Sequence, residues 1–400
     1  MKFSKTFLIF VLAFVYFNFA IKYGYSIYYQ SSSDFSSYYA AVNLWWSDGL
    51  SPYDFGLLSK KATFYMVTPY VYAPPSLILF LPLTFFSLES AKGIFLIFNH
   101  LLLIAGLIFL IKSSIKQNNI LLALIYVFFV GFYNPLIVEL LSAQVNLVIL
   151  FLLLIFWRGI RNEGSDYLAG FALATGIVLK TYPVIFLVLL FILNRRKLLF
   201  LSLAFLGGYV LLAYSLISKE IWQSWLFNTV QAAKYSSLLP HHPAPANIYN
   251  LNINGFFSRL FPADLSCAVT YTATLSILLY SAVLVFKSRN NLKTEVLDLS
   301  FFIFCTLYHL LGIYTWEHHF VILLPACYYV LKLNLLENKP KELFALLLVL
   351  IIASSVPYFT IAQDSSFLFK LIAPTKFFAL FGLWIYFTDR LSSMRLQQLE

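Results

Sequence analysis

Apolar segments long enough to cross a lipid bilayer recur along the whole 400-residue chain. The hydrocarbon core of a bilayer is about 30 Å thick, and an α-helix needs roughly 20 apolar residues to cross it. Because lipid offers the backbone no hydrogen-bond partners, such segments are expected to be helices. The composition agrees, since only 11% of the residues are charged against about 25% in soluble domains. The sequence therefore predicts an all-α polytopic membrane protein.

Basic residues lie in short clusters between the apolar segments and set the expected orientation. Cytoplasmic loops of membrane proteins are rich in Lys and Arg, so the formal net charge of +10 indicates topology rather than nucleic-acid binding. Seven windows are clear, and the clusters place both termini in the cytoplasm. The first window is kept as a transmembrane helix because it is longer than the apolar core of a signal peptide. The clear windows lie near 6–29, 198–217, 266–286, 298–313, 319–333, 343–359 and 371–388.

The stretch from 73 to 194 is less regular. It contains six apolar pieces, near 73–88, 91–111, 119–133, 144–157, 167–180 and 183–194. Because this stretch begins outside and ends at the cytoplasmic Arg195, only an odd number of the pieces can cross. We therefore expect about twelve transmembrane helices in a single domain over 1–400, with long outer loops at about 30–71 and 218–265.

The first outer loop places an acidic residue, Asp34, before a predicted surface helix. Apolar residues follow at helical spacing, namely Phe35, Tyr38, Tyr39, Val42, Trp45 and Trp46. This stripe predicts a helix on the outer membrane surface, and Gly49 and Ser51-Pro52 end it. Asp34 can cap this helix by accepting a backbone N–H bond, or it can act as a general base at the mouth of a membrane cavity. The two roles are compatible, because a cap fixes the carboxylate.

Several polar side chains interrupt the apolar segments. Glu139, Gln144 and Asn146 lie between two apolar pieces, where they need protein partners or a wet cavity. Helix-to-helix hydrogen bonding and ligand contact both remain open for them. Lys180 stands in a long apolar run beside Tyr182-Pro183, so its ammonium either reaches an interface or meets an anion. A lipid phosphate is the anion that we consider.

Two later segments concentrate polar groups on the outer side. The second outer loop is rich in asparagine and ends near Arg259, and its His-His-Pro sequence lacks the spacing of metal ligands. Trp316, His318 and His319 fall with Glu317 in a short outer turn, which favours a functional surface over a plain loop. The cysteines match neither a disulfide framework nor a zinc site and are expected to be packing residues. They are Cys267, Cys305 and Cys327.

These residues together resemble the multi-pass glycosyltransferases of the GT-C superfamily, and most closely glycosyltransferase family 87, the polyprenyl-phosphate-mannose-dependent mannosyltransferase-like group. The resemblance runs over most of the chain and rests on the order of short motifs at helix ends. Ala143 stands where the family has glycine, and Asn254 stands where serine is common. The motifs are Asp34-Phe35, Tyr39-Ala40, Gly49, Pro52-Tyr53, Tyr72-x-Pro74-Pro75, Gln144-x-Asn146, Lys180-x-x-Pro183, the Asn252 to Arg259 segment, and Trp316-x-His318-His319 leading into Leu323-Leu324-Pro325.

The resemblance implies a hexosyltransferase of GT-C fold in the bacterial inner membrane, with a periplasmic juxtamembrane helix after the first span and the active site facing the periplasm. It would move a sugar, with mannose as the candidate, from a polyprenyl-phosphate donor to a lipid or glycan acceptor, with inversion and with Asp34 as the base. Neither a cofactor nor a metal is expected, and the partners are these substrates and membrane lipids, not nucleic acid. The donor phosphate is assigned to Lys180, Arg259, His318 and His319. The sugar and the acceptor are assigned to Tyr39, Tyr53, Tyr72, Gln144, Asn146, Asn252 and Trp316.

Two other classes of function stay open at the level of sequence. A lipid flippase or transporter without chemistry would carry ionisable groups deep in several helices or broken segments in repeated halves, whereas here the polar groups lie mostly near outer helix ends. A glycan polymerase or ligase would join preassembled lipid-linked chains instead of adding one sugar.

Overall fold

The computed structural model describes residues 10, 13, 14, 17 and 24 and the ranges 33–62, 67–116, 119–232, 244–290, 293–337, 339–354 and 374–396. Most of the first predicted window, 6–29, lies outside the described residues, as do His241 and His242 of the second outer loop. Every regular element in the described part of the chain is a helix. The prediction of an all-α protein is confirmed.

The helices are numbered here in chain order, and three 3-10 helices at Leu81–Phe85, Tyr182–Val184 and Glu317–Leu323 connect some of them. The α-helices are α1 (Ser33–Trp46), α2 (Phe55–Lys61), α3 (Pro75–Phe80), α4 (Leu88–Lys116), α5 (Ile120–Gly131), α6 (Asn134–Ser142), α7 (Asn146–Ile160), α8 (Asp166–Leu179), α9 (Ile185–Ile192), α10 (Arg196–Leu216), α11 (Lys219–Ala232), α12 (Ile253–Leu260), α13 (Ala263–Ser288), α14 (Thr294–Leu310), α15 (Leu324–Glu337), α16 (Pro340–Ala353) and α17 (Thr375–Leu396).

Four helical segments of the described chain are long and apolar enough to cross a membrane. They are Leu88–Lys112, Arg196–Leu216, Ala263–Ser288 and Glu317–Glu337. A fifth is possible if α5 and α6, which meet at an angle of 49°, count as one bent span. These lengths support a multi-pass membrane protein, whereas about twelve spans stay a prediction.

The irregular stretch from 73 to 194 is built mainly from short apolar helices. Only α4 has the length of a full span, and the pieces at Pro75–Phe85, Asn146–Ile160, Asp166–Leu179 and Tyr182–Ile192 each have fewer than 18 residues. Short helices bring helix ends, with their unpaired backbone groups, into the interior of the protein. The polar residues of the sequence motifs lie at these ends.

The predicted helix after Asp34 is present as α1. Gly49 follows it with a φ of +66°, a left-handed conformation that glycine adopts without a steric cost. The aromatic stripe does not serve mainly as a membrane-facing surface. Phe35, Tyr38 and Trp45 are buried in the protein, where α1 packs against α3 and the 3-10 helix Leu81–Phe85.

Close packing fixes the helices that carry the central polar residues. Helix α8 packs against both α7 and α10, and Gly170 lies at the second contact. A Cβ atom at Gly170 would lie 2.9 Å from the Cβ of Leu201, so only glycine allows the two helices to approach this closely. This packing holds the C-terminal end of α8, and Lys180 after it, in a defined position.

Candidate active site

The turn between α6 and α7 places an acidic residue against a helix start. Ala143 ends α6 in a left-handed conformation, with a φ of 47°, which reverses the chain within a few residues. Glu139 of α6 then accepts hydrogen bonds from the backbone N–H of Leu147 at 3.2 Å and from the Asn146 amide at 2.7 Å. An anion at a helix N-terminus satisfies free N–H groups and is favoured by the helix dipole. Glu139 therefore stabilises the start of α7.

Lys180 is buried where α8 ends, before the 3-10 helix Tyr182–Val184. Its Nζ donates hydrogen bonds to Asn146 Oδ1 at 2.9 Å and to His319 Nε2 at 2.9 Å. The side chain thus neither reaches an interface nor faces lipid. It lies in a polar interior that also holds the carboxylate of Glu139, whose charge acts on the ammonium.

Glu317, His318 and His319 are folded inward rather than exposed in an outer turn, whereas Trp316 is partly exposed. Glu317 and both histidines are mostly buried in the 3-10 helix Glu317–Leu323, which packs against α6 and α7. Glu317 forms an ion pair with Lys376 at the start of α17 and accepts a hydrogen bond from Asn134 at 2.6 Å. These contacts fix the two imidazoles, whose rings lie 4.6 Å apart.

A buried cluster of hydroxyl groups faces Gln144. Tyr38 donates to Gln144 Oε1 at 2.7 Å, and its hydroxyl lies 2.8 Å from that of Tyr72, which also points to Oε1 at 3.4 Å. Tyr38 stacks on Phe80 at 4.8 Å and meets Tyr72 edge to face at 5.2 Å. The ring contacts and the hydroxyl bonds together set the orientation of the Gln144 amide.

Asp34 lies within the first turn of α1, because the helix already includes Ser33. Its Oδ1 accepts a hydrogen bond from the Thr68 hydroxyl at 2.8 Å, and the Thr68 N–H donates to Ser37 Oγ at 2.8 Å. The segment around Thr68 is therefore tied to α1 at two points. These contacts hold the carboxylate in one orientation beside Gln144.

The surroundings of Asp34 affect its proton affinity in opposite directions. Burial raises the pKa of the Asp34 carboxyl above its ordinary value, and this is the largest effect. Hydrogen bonding by Thr68 and by Gln144 and the positive charge of Lys180 lower the same pKa. A carboxyl group with a raised pKa that stays close to a cation is suited to accept a proton from a substrate near neutral pH.

The asparagine-rich segment acts as a brace for the turn after α14. Asn252 caps α12 by accepting from the N–H of Gly255 at 2.8 Å, and its amide donates to Gly312 O at 2.6 Å. Asn254 donates to Ile313 O at 2.9 Å. Arg259 Nη1 donates to the carbonyls of Asn247 and Asn250. This segment positions the turn that leads to Trp316 and the two histidines.

The predicted site residues fall into groups in the structure. Asp34, Tyr72 and Gln144 share one cluster, and Asn146, Lys180 and His319 share a second one beside it, since the charge of Lys180 acts on Asp34. Tyr53 supports the first cluster by donating to Tyr72 O at 2.7 Å. Tyr39 points elsewhere and donates to Phe86 O at 2.9 Å. Trp316 stacks on Tyr314 with the ring planes 3° apart, and both rings are partly exposed.

Sequence reasoning missed several residues that support this geometry. No sequence pattern indicates a role for Thr68 or Lys376, because each contacts a residue far away in the sequence. Thr68 contacts Asp34, and Lys376 contacts Glu317. Tyr38 was assigned only to the apolar stripe of α1, yet its hydroxyl belongs to the Gln144 cluster. Tyr308 and His309 lay inside an apolar window and were not considered. A polar group inside an apolar helix is the one sequence signal that would have marked His309.

The model of glycosyltransferase family 87 matches residues 70–311, which is more than half of the chain. No curated protein and no solved structure matches the chain. The matched range includes Tyr72, Gln144, Lys180 and Arg259, whereas Asp34 and the histidines at 318 and 319 lie outside it.

Proposed function

The chain belongs to glycosyltransferase family 87, and on this premise we propose that it moves a hexose, with mannose as the candidate, from a polyprenyl-phosphate donor to a lipid or glycan acceptor. The transfer takes place at the periplasmic face of a bacterial inner membrane. The observation that carries the proposal is the Asp34 carboxyl, tied to Thr68 and adjacent to the cluster of Lys180, Asn146 and His319.

In this reaction Asp34 takes the proton of an acceptor hydroxyl. The electron pair that this leaves on the acceptor oxygen forms a bond to the anomeric carbon, while the bond from that carbon to the phosphate oxygen breaks. Attack and departure on opposite faces invert the configuration. The leaving group is polyprenyl phosphate, and its charge needs a nearby donor or cation as it develops.

Lys180 is the residue best placed to stabilise that leaving phosphate. Its ammonium is held by two neutral acceptors, Asn146 Oδ1 and His319 Nε2, so a phosphate can replace one of them with a stronger, charge-assisted partner. His318 and His319 offer further donors. Arg259 is proposed to act on the phosphate less directly, because its Nη1 is committed to two backbone carbonyls.

The sugar and the acceptor are proposed to meet the tyrosine and amide groups around Gln144. Tyr72 and Tyr53 form one wall of this region, and Trp316 offers an aromatic surface near the histidines. Asn146 and Asn252 are proposed to act on the substrates indirectly. Asn146 holds Lys180, and Asn252 holds the turn before Trp316. The proposed mechanism uses no metal ion, because side chains supply the charges that it needs.

The test is lipid mass spectrometry of a deletion strain that carries either an empty vector or the gene. We expect a glycolipid or glycan in the complemented strain that is heavier by a single hexose than its precursor in the deletion strain. A whole-glycan increment would instead indicate a polymerase or ligase. Unchanged products with altered lipid distribution between the leaflets would indicate a flippase.

A further inference from the structure

Unpaired polar atoms are concentrated next to Lys180. Among the described residues, five buried atoms of this region have no hydrogen-bond partner. Such groups are rare in proteins, because a buried donor or acceptor without a partner is costly. They are the Tyr308 hydroxyl, Nδ1 and Nε2 of His309, Nε2 of His318 and Nδ1 of His319.

The chemistry of the imidazoles shows that some of these atoms are donors. Lys180 donates to Nε2 of His319, so the proton of the neutral His319 ring lies on Nδ1, where it has no acceptor. Neutral His309 also carries one proton, and neither of its nitrogens has a partner in the described chain. The region therefore holds unused N–H groups beside a cation.

Ring contacts join these residues into one wall. The ring of His309 lies 4.7 Å from that of Tyr308, Tyr308 lies 5.6 Å from Tyr182, and Tyr182 lies 6.2 Å from His319. His309 is fully buried and Tyr308 nearly so. This wall continues the cluster of Lys180 and His319 toward the end of α14.

We propose that Tyr308 and His309 complete, with His318 and His319, the wall that binds the phosphate of the lipid donor beside Lys180. The inference rests on the proposed function and adds two binding residues to it. A phosphate group has several acceptor oxygens, and N–H and O–H donors around one ammonium match them. The donors are neutral, so they stabilise the phosphate without adding charge to an apolar surrounding.

The test measures binding of polyprenyl phosphate and of polyprenol to the purified, reconstituted protein. Tyr308→Phe and His309→Phe keep the rings and remove the polar atoms, and Tyr386→Phe is the control, a similar change at a hydroxyl near Arg390. We expect each of the first two variants to bind polyprenyl phosphate at least tenfold more weakly than the wild type. Polyprenol binding and the control should be unchanged.

Unchanged polyprenyl phosphate affinity in Tyr308→Phe and His309→Phe would overturn this inference. Tyr308→Phe removes one oxygen atom, so it keeps the test decisive if His309→Phe does not fold. Sugar transfer by the wild type distinguishes this inference from the proposed function. If the wild type transfers no hexose from the polyprenyl-phosphate donor, the proposed function fails; if it does so while Tyr308→Phe and His309→Phe bind polyprenyl phosphate normally, only this inference fails.

A second, independent observation is a basic pocket between the start of α10 and the end of α13. It has a volume of about 250 Å³ and is lined by Leu193, Asn194, Arg195, Arg289 and Asn290. The candidate span α10 begins directly after Arg195, and the candidate span α13 ends directly before Arg289. The pocket therefore lies at the ends of two candidate membrane spans.

The two arginines present their charges differently. Arg195 Nη1 and Nη2 donate to Asn162 Oδ1 and Ile160 O, both at 2.7 Å, whereas its buried Nε has no partner among the described residues. The Arg289 guanidinium lies 3.8 Å from the ring centroid of Phe286. A guanidinium on an aromatic ring at a membrane edge suits a ligand that is anionic at one end and apolar at the other.

We infer that this pocket binds the phosphate of an anionic phospholipid headgroup. The test compares lipids retained by protein purified from nanodiscs of phosphatidylcholine with one third phosphatidylglycerol. We expect the wild type to enrich phosphatidylglycerol at least twofold over the bulk, and Arg289→Gln to lose that enrichment. Lys287→Gln, an exposed change on the same helix end, should retain it.

Equal enrichment in the wild type and Arg289→Gln would overturn this inference. A soluble source of the same chemistry is tested by adding glycerol phosphate. If glycerol phosphate removes the bound phosphatidylglycerol at millimolar concentration, the pocket recognises a soluble anion and not a lipid.

Discussion

Gln144→Leu tests whether the amide acts through Asp34. Tyr38 and Tyr72 occupy Gln144 Oε1, and the side chain also lowers the pKa of Asp34 by hydrogen bonding. A hydrogen bond to a charged group contributes about 1.5–3 kcal/mol, and each 1.36 kcal/mol is tenfold in rate. We therefore expect kcat/KM for sugar transfer to fall roughly 10- to 100-fold on the acidic side of the pH profile.

The pKa of Asp34 determines how the activity of Gln144→Leu should depend on pH. Burial already raises the pKa of Asp34, and removal of Gln144 takes away an effect that lowers it. The base is active only when deprotonated, so activity is lost as the pH falls through this pKa. The acidic limb of the pH profile should move to higher pH in Gln144→Leu, and the loss of activity should be largest in acid.

Tyr38→Phe is the matched control, because it removes a hydroxyl that contacts Gln144 but leaves the amide beside Asp34. It should lower activity less and leave the acidic limb near its wild-type position. A uniform loss of activity at all pH values in Gln144→Leu would refute the reasoning. Gln144 would then act only through its contact with the sugar and not through Asp34.

The other predictions concern stability and are measured as thermal or denaturant unfolding of the purified protein. Lys376→Met leaves the mostly buried Glu317 without its ion-pair partner, so it should lower the free energy of unfolding by about 3–5 kcal/mol. Adding Glu317→Gln should recover most of this loss. Equal stability of Lys376→Met and the wild type would contradict the pairing. The left-handed conformation of Ala143 costs roughly 1–2 kcal/mol, and Ala143→Gly removes this cost. Against this gain, the conformational entropy of glycine costs about 0.5–1 kcal/mol. Ala143→Gly should raise the free energy of unfolding by up to about 1.5 kcal/mol, whereas Ala172→Gly inside α8 should lower it.

Local patterns predicted the helices well. The spacing of apolar residues after Asp34 and the glycine at 49 predicted α1 and its end. These features depend on neighbours in the sequence, so the sequence is enough to recognise them. The resemblance to glycosyltransferase family 87, based on short motifs at helix ends, is confirmed by the family match.

The contacts around the site join residues that are far apart in the sequence, so local patterns did not predict them. The apolar stripe of α1 was expected to face the membrane, but it packs against the protein because α3 covers it. Asp34 was expected just before α1, but it lies inside the first turn and bonds to Thr68, 34 residues away. The mostly buried Glu317 pairs with Lys376, 59 residues away in the sequence. Such pairings follow from the tertiary packing.

The most direct test of the central claim is hexose transfer by Asp34→Asn in proteoliposomes. The assay supplies a polyprenyl-phosphate hexose and lipids extracted from the deletion strain as the acceptor pool. Loss of a general base typically costs about 10²- to 10⁴-fold, so we expect transfer to fall at least 100-fold while polyprenyl phosphate binds with wild-type affinity. Transfer within a few fold of the wild type, at equal amounts of folded protein, would contradict the account.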